Sequence, residues 1–267
     1  MDRIQEAVSR KKESREAPAP RTDAGAASPR PASGSTSLPA FREITCDRSA
    51  IGRHRIIANE QDPALNAYRV LRTRTLQAME RNGWRTLAVV SATSGAGKTV
   101  TAINLAIAIG SKAGSRSTLI DLDFYRPSVA RYLGIQDPPS SLDYFEGTRT
   151  LPEVSVKIDL ANTLLVANER VTRRGAEHLT TAKADEMIRT AVEDYGSRAV
   201  IFDISPILGC DDAIAFLPKV DCALIVAASG HTRARDLTEA RRLLKDVNVI
   251  GTVLNKAPDI TAANAYY

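Results

Sequence analysis

Aromatic side chains make up only 5% of the 267 residues, and there are three cysteines, three histidines and no long apolar run. Each scarcity excludes something. Cys46, Cys210 and Cys222, like His54, His178 and His231, lie far apart instead of in the paired spacing of zinc or dithiol redox sites, so the cysteines are read as reduced and incidental. Without about 18 consecutive apolar residues the sequence offers no membrane span. Met1 to Arg15, rich in Lys, Arg and Glu, lacks the apolar stretch of a secretory signal, and the chain is expected to stay in the cytoplasm. The net charge of +5 comes from basic residues interleaved with acidic ones. With few aromatic platforms for stacking bases, nucleic acid is not the expected partner, and a weak attraction to anionic lipid or polyphosphate fits the charge equally well.

What is present begins with a segment that has little to fold around. Glu16 to Pro39 is dominated by Ala, Pro, Ser, Gly and Arg, too few large apolar groups to offset the entropy of ordering, and reads as a flexible linker. Ahead of it, Ile4 and Val8 stand four apart among charges, which fits a short amphipathic helix able to dock on a partner or a solvated, frayed one. The expected organisation is a flexible extension over 1–50, one core over 51–260 and a short tail over 261–267.

Pro63 to Arg81 has Leu65, Tyr68, Leu71, Leu76 and Met79 at helical spacing. Beyond it, short apolar runs alternate with helical patterns: Thr86 to Ser91, Ser117 to Asp121, Thr163 to Ala167, Ala199 to Ile204, Cys222 to Ala227 and Val249 to Asn255. Such alternation predicts an α/β fold, a mostly parallel central sheet flanked by helices on both faces. Ligands of such sheets gather at the carboxyl ends of the strands.

At one such end lies Ala92-Thr93-Ser94-Gly95-Ala96-Gly97-Lys98-Thr99, between the strand Thr86 to Val90 and a helix over Thr101 to Ile109. Glycines there let the backbone turn several N–H groups inward on an anion at the helix N-terminus. The pattern is that of a P-loop with Ala92 in the first glycine position. Ser94, Gly95, Ala96, Gly97, Lys98, Thr99 and Val100 are the candidate nucleotide contacts, Lys98 reaching the β- and γ-phosphates and Thr99 ligating Mg²⁺. Three carboxylates follow apolar strands downstream. Asp121 and Asp123 close one, and Asp203, in Asp203-Ile204-Ser205-Pro206, closes another. With Lys98 they are the candidate catalytic residues: Asp121 and Asp203, with Thr99, for Mg²⁺, and one of the Asp121/Asp123 pair to accept a proton from an attacking hydroxyl. A purine nucleoside triphosphate with Mg²⁺ is the expected ligand.

From about Pro63 to Ala257 the chain resembles bacterial tyrosine kinases of the capsule and exopolysaccharide type, a branch of the P-loop ATPases that also holds the chromosome-partitioning and division-site ATPases. The resemblance rests on Gly95-Ala96-Gly97-Lys98-Thr99, Asp121-Leu122-Asp123 with Arg126-Pro127, Asp203-Ile204-Ser205-Pro206 with Asp212-Ala213, and Gly251-Thr252-Val253-Leu254-Asn255. It implies ATP and Mg²⁺ as cofactors, Asn255 facing the adenine, and transfer of the γ-phosphoryl group to tail tyrosines of a neighbouring subunit, here Tyr266 and Tyr267. It also implies a homo-oligomer and a membrane-embedded polysaccharide chain-length (co-polymerase) adaptor that recruits the chain to the inner face of the plasma membrane. The family's E-x-x-R-x-x-R helix is here Asn66 to Arg72, keeping Arg69 and Arg72 for subunit contacts and losing the glutamate, and Tyr125 stands where an arginine is expected. Two other functions compete: a partitioning-type ATPase, against which Thr93 stands in the place of a second loop lysine, and a non-catalytic ATP-binding regulator of polysaccharide assembly.

Overall fold

The structure, a computed structural model, describes residues 40–58, 61–62 and 64–257. The expected N-terminal helix and linker, and the tail with Tyr266 and Tyr267, lie outside the described residues.

Eight strands form one sheet: β1 (Arg42–Ile44), β2 (Thr86–Val90), β3 (Ser117–Leu122), β4 (Ser155–Ile158), β5 (Thr163–Val166), β6 (Ala199–Ile204), β7 (Cys222–Ala228) and β8 (Val249–Asn255). Their order is β1-β4-β5-β3-β6-β2-β7-β8. Every pairing is parallel except β4 with β5, so β1 and β4 run against the other six. Strands β2, β3, β6 and β7 are buried along their whole length, as central parallel strands covered on both faces must be.

Side chains alternate across the sheet and divide the core in two. Leu87, Val89, Leu119 and Ile201 face one side with helices α1 (Arg48–Arg53), α2 (Leu65–Asn82), α3 (Lys98–Gly110) and α4 (Val129–Leu133). Ala88, Val90, Ile120 and Phe202 face the other with α5 (Ser141–Glu146), α6 (Leu151–Val154), α7 (Gly175–Leu179), α8 (Ala182–Glu193), α9 (Asp212–Phe216) and α10 (Ala234–Leu243). The helices on both faces and the mostly parallel sheet are those the apolar alternation predicts. In α2 the expected stripe is only half buried at its start. Leu65, Tyr68 and Leu71 are partly exposed, while Leu76 and Met79 are in the core.

The structure differs from the sequence expectation before Ile51, where Arg42 to Ala50 holds β1 and the first half of α1. Phe41 meets Tyr195 edge to face, Ile44 pairs with Ile158, and the Cys46 N–H donates to Asp159 Oδ1 at 3.0 Å. Asp47 caps α1 by accepting from the Ser49 N–H at 2.8 Å. A few well-seated anchors order a stretch whose composition is mostly polar. Gly134, with φ of +65°, ends α4 against this cap, and a Cβ there would sit 2.5 Å from Asp47 Cβ and 2.8 Å from Ala50 Cβ. Gly134→Ala is expected to cost roughly 2–4 kcal/mol, combining left-handed strain with overpacking. Urea unfolding checks it; an unchanged midpoint would refute the packing.

Candidate phosphate-binding active site

Chain connectivity reverses direction around β2, since β3 and β6 lie on one side of it and β7 and β8 on the other. The carboxyl ends there open into a crevice, and the loop leaving β2 occupies it. Gly95 and Gly97 have φ of +81° and +91°, and α3 begins at Lys98, so the loop delivers its N–H groups and a helix N-terminus to one cleft of about 650 Å³. Ser94, Gly95, Gly97, Lys98, Thr99 and Val100 line that cleft, while Ala96 is buried behind it. The segment after β6 is pinned to the loop's start, where the Ile207 and Leu208 N–H groups donate to the Ser91 and Ala92 carbonyls at 2.9 and 3.1 Å.

Parallel register brings the acids together. Asp121 on β3 is paired with Asp203 on β6, and both continue the face of Leu119 and Ile201 towards α3. Lys98 reaches across to them: Nζ donates to Asp123 Oδ2 at 2.8 Å and to Asp203 Oδ1 at 3.1 Å, with Lys98 and both carboxylates buried. Thr99 Oγ1 donates to Asp203 Oδ2 at 2.7 Å and lies 3.3 Å from Ser128 Oγ. The three carboxylates are not equivalent. Asp121 turns inward, accepting from the Asp123, Ser128 and Val129 N–H groups at 3.1 Å each, and so positions the start of α4. Asp123 lines the cleft, with Oδ1 accepting from the Arg126 N–H and the Ser205 hydroxyl, both at 2.9 Å.

Charge follows this geometry. Burial pulls the Lys98 ammonium down, but the Asp203 and Asp123 carboxylates outweigh burial and hold its pKa above the ordinary value. Burial likewise pushes Asp123 up, and the Lys98 charge with the Lys98, Arg126 and Ser205 hydrogen bonds reverses that, leaving it below the ordinary carboxylate range. Asp121 and Asp203 stay raised. Burial dominates for both, and the Asp203 charge adds to it at Asp121, which is pushed up to about 8. The site thus holds one carboxylate ionised at the cleft and two reluctant to ionise beneath it.

Other expected residues are more scattered. Asn255 donates from Nδ2 to the Ala96 carbonyl at 3.0 Å and accepts the Lys256 N–H on Oδ1 at 2.8 Å, so its amide is engaged with the loop. Arg69 is exposed on α2, whereas Arg72 donates from Nη1 to the Ala108 carbonyl at 3.1 Å, tying α2 to α3 within the chain. Tyr125, 45% exposed, stands at the cleft rim beside Arg126. Sequence reasoning missed Ser128, His231 and Lys256, which join the site from loops that carry no local pattern, and gave no role to Ser205 of the Asp203-Ile204-Ser205-Pro206 motif.

A glycine-rich loop opening a helix, with Lys-Thr and strand-borne aspartates on one sheet edge, defines the P-loop NTPase class. A family model of the ParA type, described as an NUBPL iron-transfer P-loop NTPase, matches residues 84–258. The chain belongs to that family, and such a loop binds a nucleotide. Within it, its relatives are bacterial tyrosine kinases, as the resemblance implied. It is 28% identical to the tyrosine-protein kinase CpsD of Streptococcus pneumoniae serotype 4, over 64% of this chain and 76% of CpsD. It is 26% identical to EpsB of Ralstonia solanacearum over 73% of this chain, but spans only 26% of EpsB's length. The kinase domain of the Escherichia coli tyrosine kinase ETK has the same fold, with a TM-score of 0.70 over 83% of this chain and 93% of that domain, at 22% identity. No helix among the described residues is long and apolar enough to cross a membrane.

Proposed function

We propose that this chain is an ATP-dependent protein-tyrosine kinase that phosphorylates itself and regulates exopolysaccharide or capsule polymerisation and export. The observation that carries the reading is the buried Lys98, shared by Asp123 and Asp203 at the mouth of the phosphate loop. A cation already placed by two carboxylates is poised for the β- and γ-phosphates without further ordering, the preorganisation that phosphoryl transfer needs.

The donor set fits Mg²⁺. Thr99 lines the cleft, and the buried Asp203 behind it accepts a hydrogen bond from its hydroxyl at 2.7 Å. The hydroxyl could ligate the ion, with Asp203 supporting it directly or through water, and with phosphate supplying the remaining ligands, while Asp121 lies on the adjacent strand. Magnesium, when bound, would offset negative charge on the transferred phosphoryl group. The protein's own part is positional. Lys98 neutralises the phosphate oxygens, and Asp123, ionised at the cleft surface, is the group placed to orient a tyrosine hydroxyl and take its proton. Arg126 and Arg131 line the same cleft and add positive charge where an anionic nucleotide enters.

The likeness to CpsD supports two further parts of the reading. The acceptors are Tyr266 and Tyr267 of a neighbouring copy in a homo-oligomer, and a membrane-embedded chain-length protein recruits the chain to the inner face of the membrane. Incubating the full chain with ATP and Mg²⁺ and mapping phosphate by mass spectrometry tests this. Label on Tyr266 or Tyr267 is expected. ATP binding without label on any tyrosine, with or without the adaptor, would overturn the kinase and favour the non-catalytic regulator, to which Asn66 and Tyr125 already point.

A further inference from the structure

Three consecutive carbonyls of the phosphate loop are each held by a different side chain. His231 Nε2 meets the Ser94 carbonyl at 3.1 Å, Lys256 Nζ donates to the Gly95 carbonyl at 2.8 Å, and Asn255 Nδ2 donates to the Ala96 carbonyl at 3.0 Å. All three come from the carboxyl ends of adjacent parallel strands. Asn255 ends β8 opposite Ala228, the end of β7, and His231 follows in the turn that the Thr232 hydroxyl closes by accepting the Ala228 N–H at 2.8 Å. The donors lie 137 to 161 residues from their acceptors, so only the fold assembles them.

A trans peptide is planar, with its N–H pointing opposite to its C=O. Fixing the carbonyls of 94, 95 and 96 therefore fixes the N–H groups of Gly95, Ala96 and Gly97 in the reverse direction. Those are the groups that a glycine-rich loop offers to an anion. The glycines that permit this conformation also make it one of many, because at φ near +81° and +91° the backbone has no side chain to restrict it. Something outside the loop has to select it. Lys256 itself sits at φ of +55°, an uncommon conformation for a residue with a side chain, and that turn returns its ammonium to the loop.

We propose that His231 and Lys256, with Asn255, form a clamp that presets the phosphate loop, so that His231 and Lys256 are positioning residues for polyphosphate binding. The proposal rests on the reading of the cleft as a nucleoside triphosphate site. His231 and Lys256 are both exposed, so replacing them leaves the core intact. Losing one such hydrogen bond is expected to weaken ATP about five- to tenfold, and losing both about fiftyfold.

The test is calorimetric titration of the full chain with ATP and with AMP, for the wild type, His231→Ala, Lys256→Ala, the double variant, and the donor-preserving His231→Gln and Lys256→Arg. The expected result is a loss that is larger for ATP than for AMP, recovered by His231→Gln and Lys256→Arg, at unchanged melting temperature. Wild-type affinity in the double variant would overturn the clamp alone. So would equal losses for ATP and AMP, or alanine and donor-preserving variants that fall together, since either would mark a general structural effect. A wild type that binds no nucleotide would overturn the nucleotide reading and the clamp with it.

Discussion

Lys98→Met is expected to abolish nucleotide binding and to steepen the loss of the domain's stability as pH rises. Lys98 is 7% exposed and is the only cation hydrogen-bonded to Asp123 or Asp203 through a side chain among the described residues. Removing one partner of a buried pair leaves the other charge uncompensated, at a cost of about 3–5 kcal/mol. The variant can lower that cost only by protonating carboxyls. In the wild type, burial already raises Asp121 and Asp203, and Lys98 is the largest or a principal influence opposing it. Without Lys98, Asp123 loses the influence that holds it low and rises too. Carboxyls whose folded pKa lies above the unfolded value of about 3.9 leave stability intact below that value and remove it as pH climbs through the folded pKa. The deficit of Lys98→Met should therefore be small near pH 4 and large by pH 8. Thermal unfolding across that range, alongside the wild type, measures it; parallel curves for the two proteins would show that the buried carboxylates do not depend on this lysine.

Gly97→Ala should be nearly as damaging to binding, by another route. Gly97 has φ of +91°, and a Cβ placed on it would lie 2.1 Å from Asn255 Nδ2. The asparagine amide can swing aside, but only by releasing the Ala96 carbonyl, and the backbone strain remains. The loop is then expected to relax its conformation, with at least about a hundredfold loss of ATP affinity and about 1–3 kcal/mol of stability. Equilibrium binding together with denaturant unfolding separates the two losses. An affinity within threefold of the wild type would mean that the loop does not need this backbone conformation.

The central strands were legible in the sequence because burial on both faces forces continuous apolar runs, as in Thr86-Leu87-Ala88-Val89-Val90 and Ala199-Val200-Ile201-Phe202. Strands β1 and β4 were not. They have three and four residues, lie at the margin of the sheet and carry exposed or half-exposed charges at Arg42, Glu43 and Lys157, so no periodicity accumulates. At the site, spacing picked out Lys98, Thr99 and all three aspartates, but it left open which of Asp121 and Asp123 would take the proton. The end of the strand separates them, since residues two apart would otherwise share a face. Asp121 lies within β3 and is consumed by backbone donors, whereas Asp123 lies just beyond the strand and reaches the cleft. His231 and Lys256 had no signal to find, because their partners are backbone carbonyls, which every residue carries.

The sheet order has a consequence for distance. With β1 at one margin and β8 at the other, the first and last strands are separated by seven steps of about 4.8 Å, roughly 34 Å along the sheet. The sheet thus serves as a rigid spacer. Lys256 leaves β8 beside the phosphate loop. Chain leaving the domain after β8 starts next to the chemistry, and chain entering through β1 starts at the far margin.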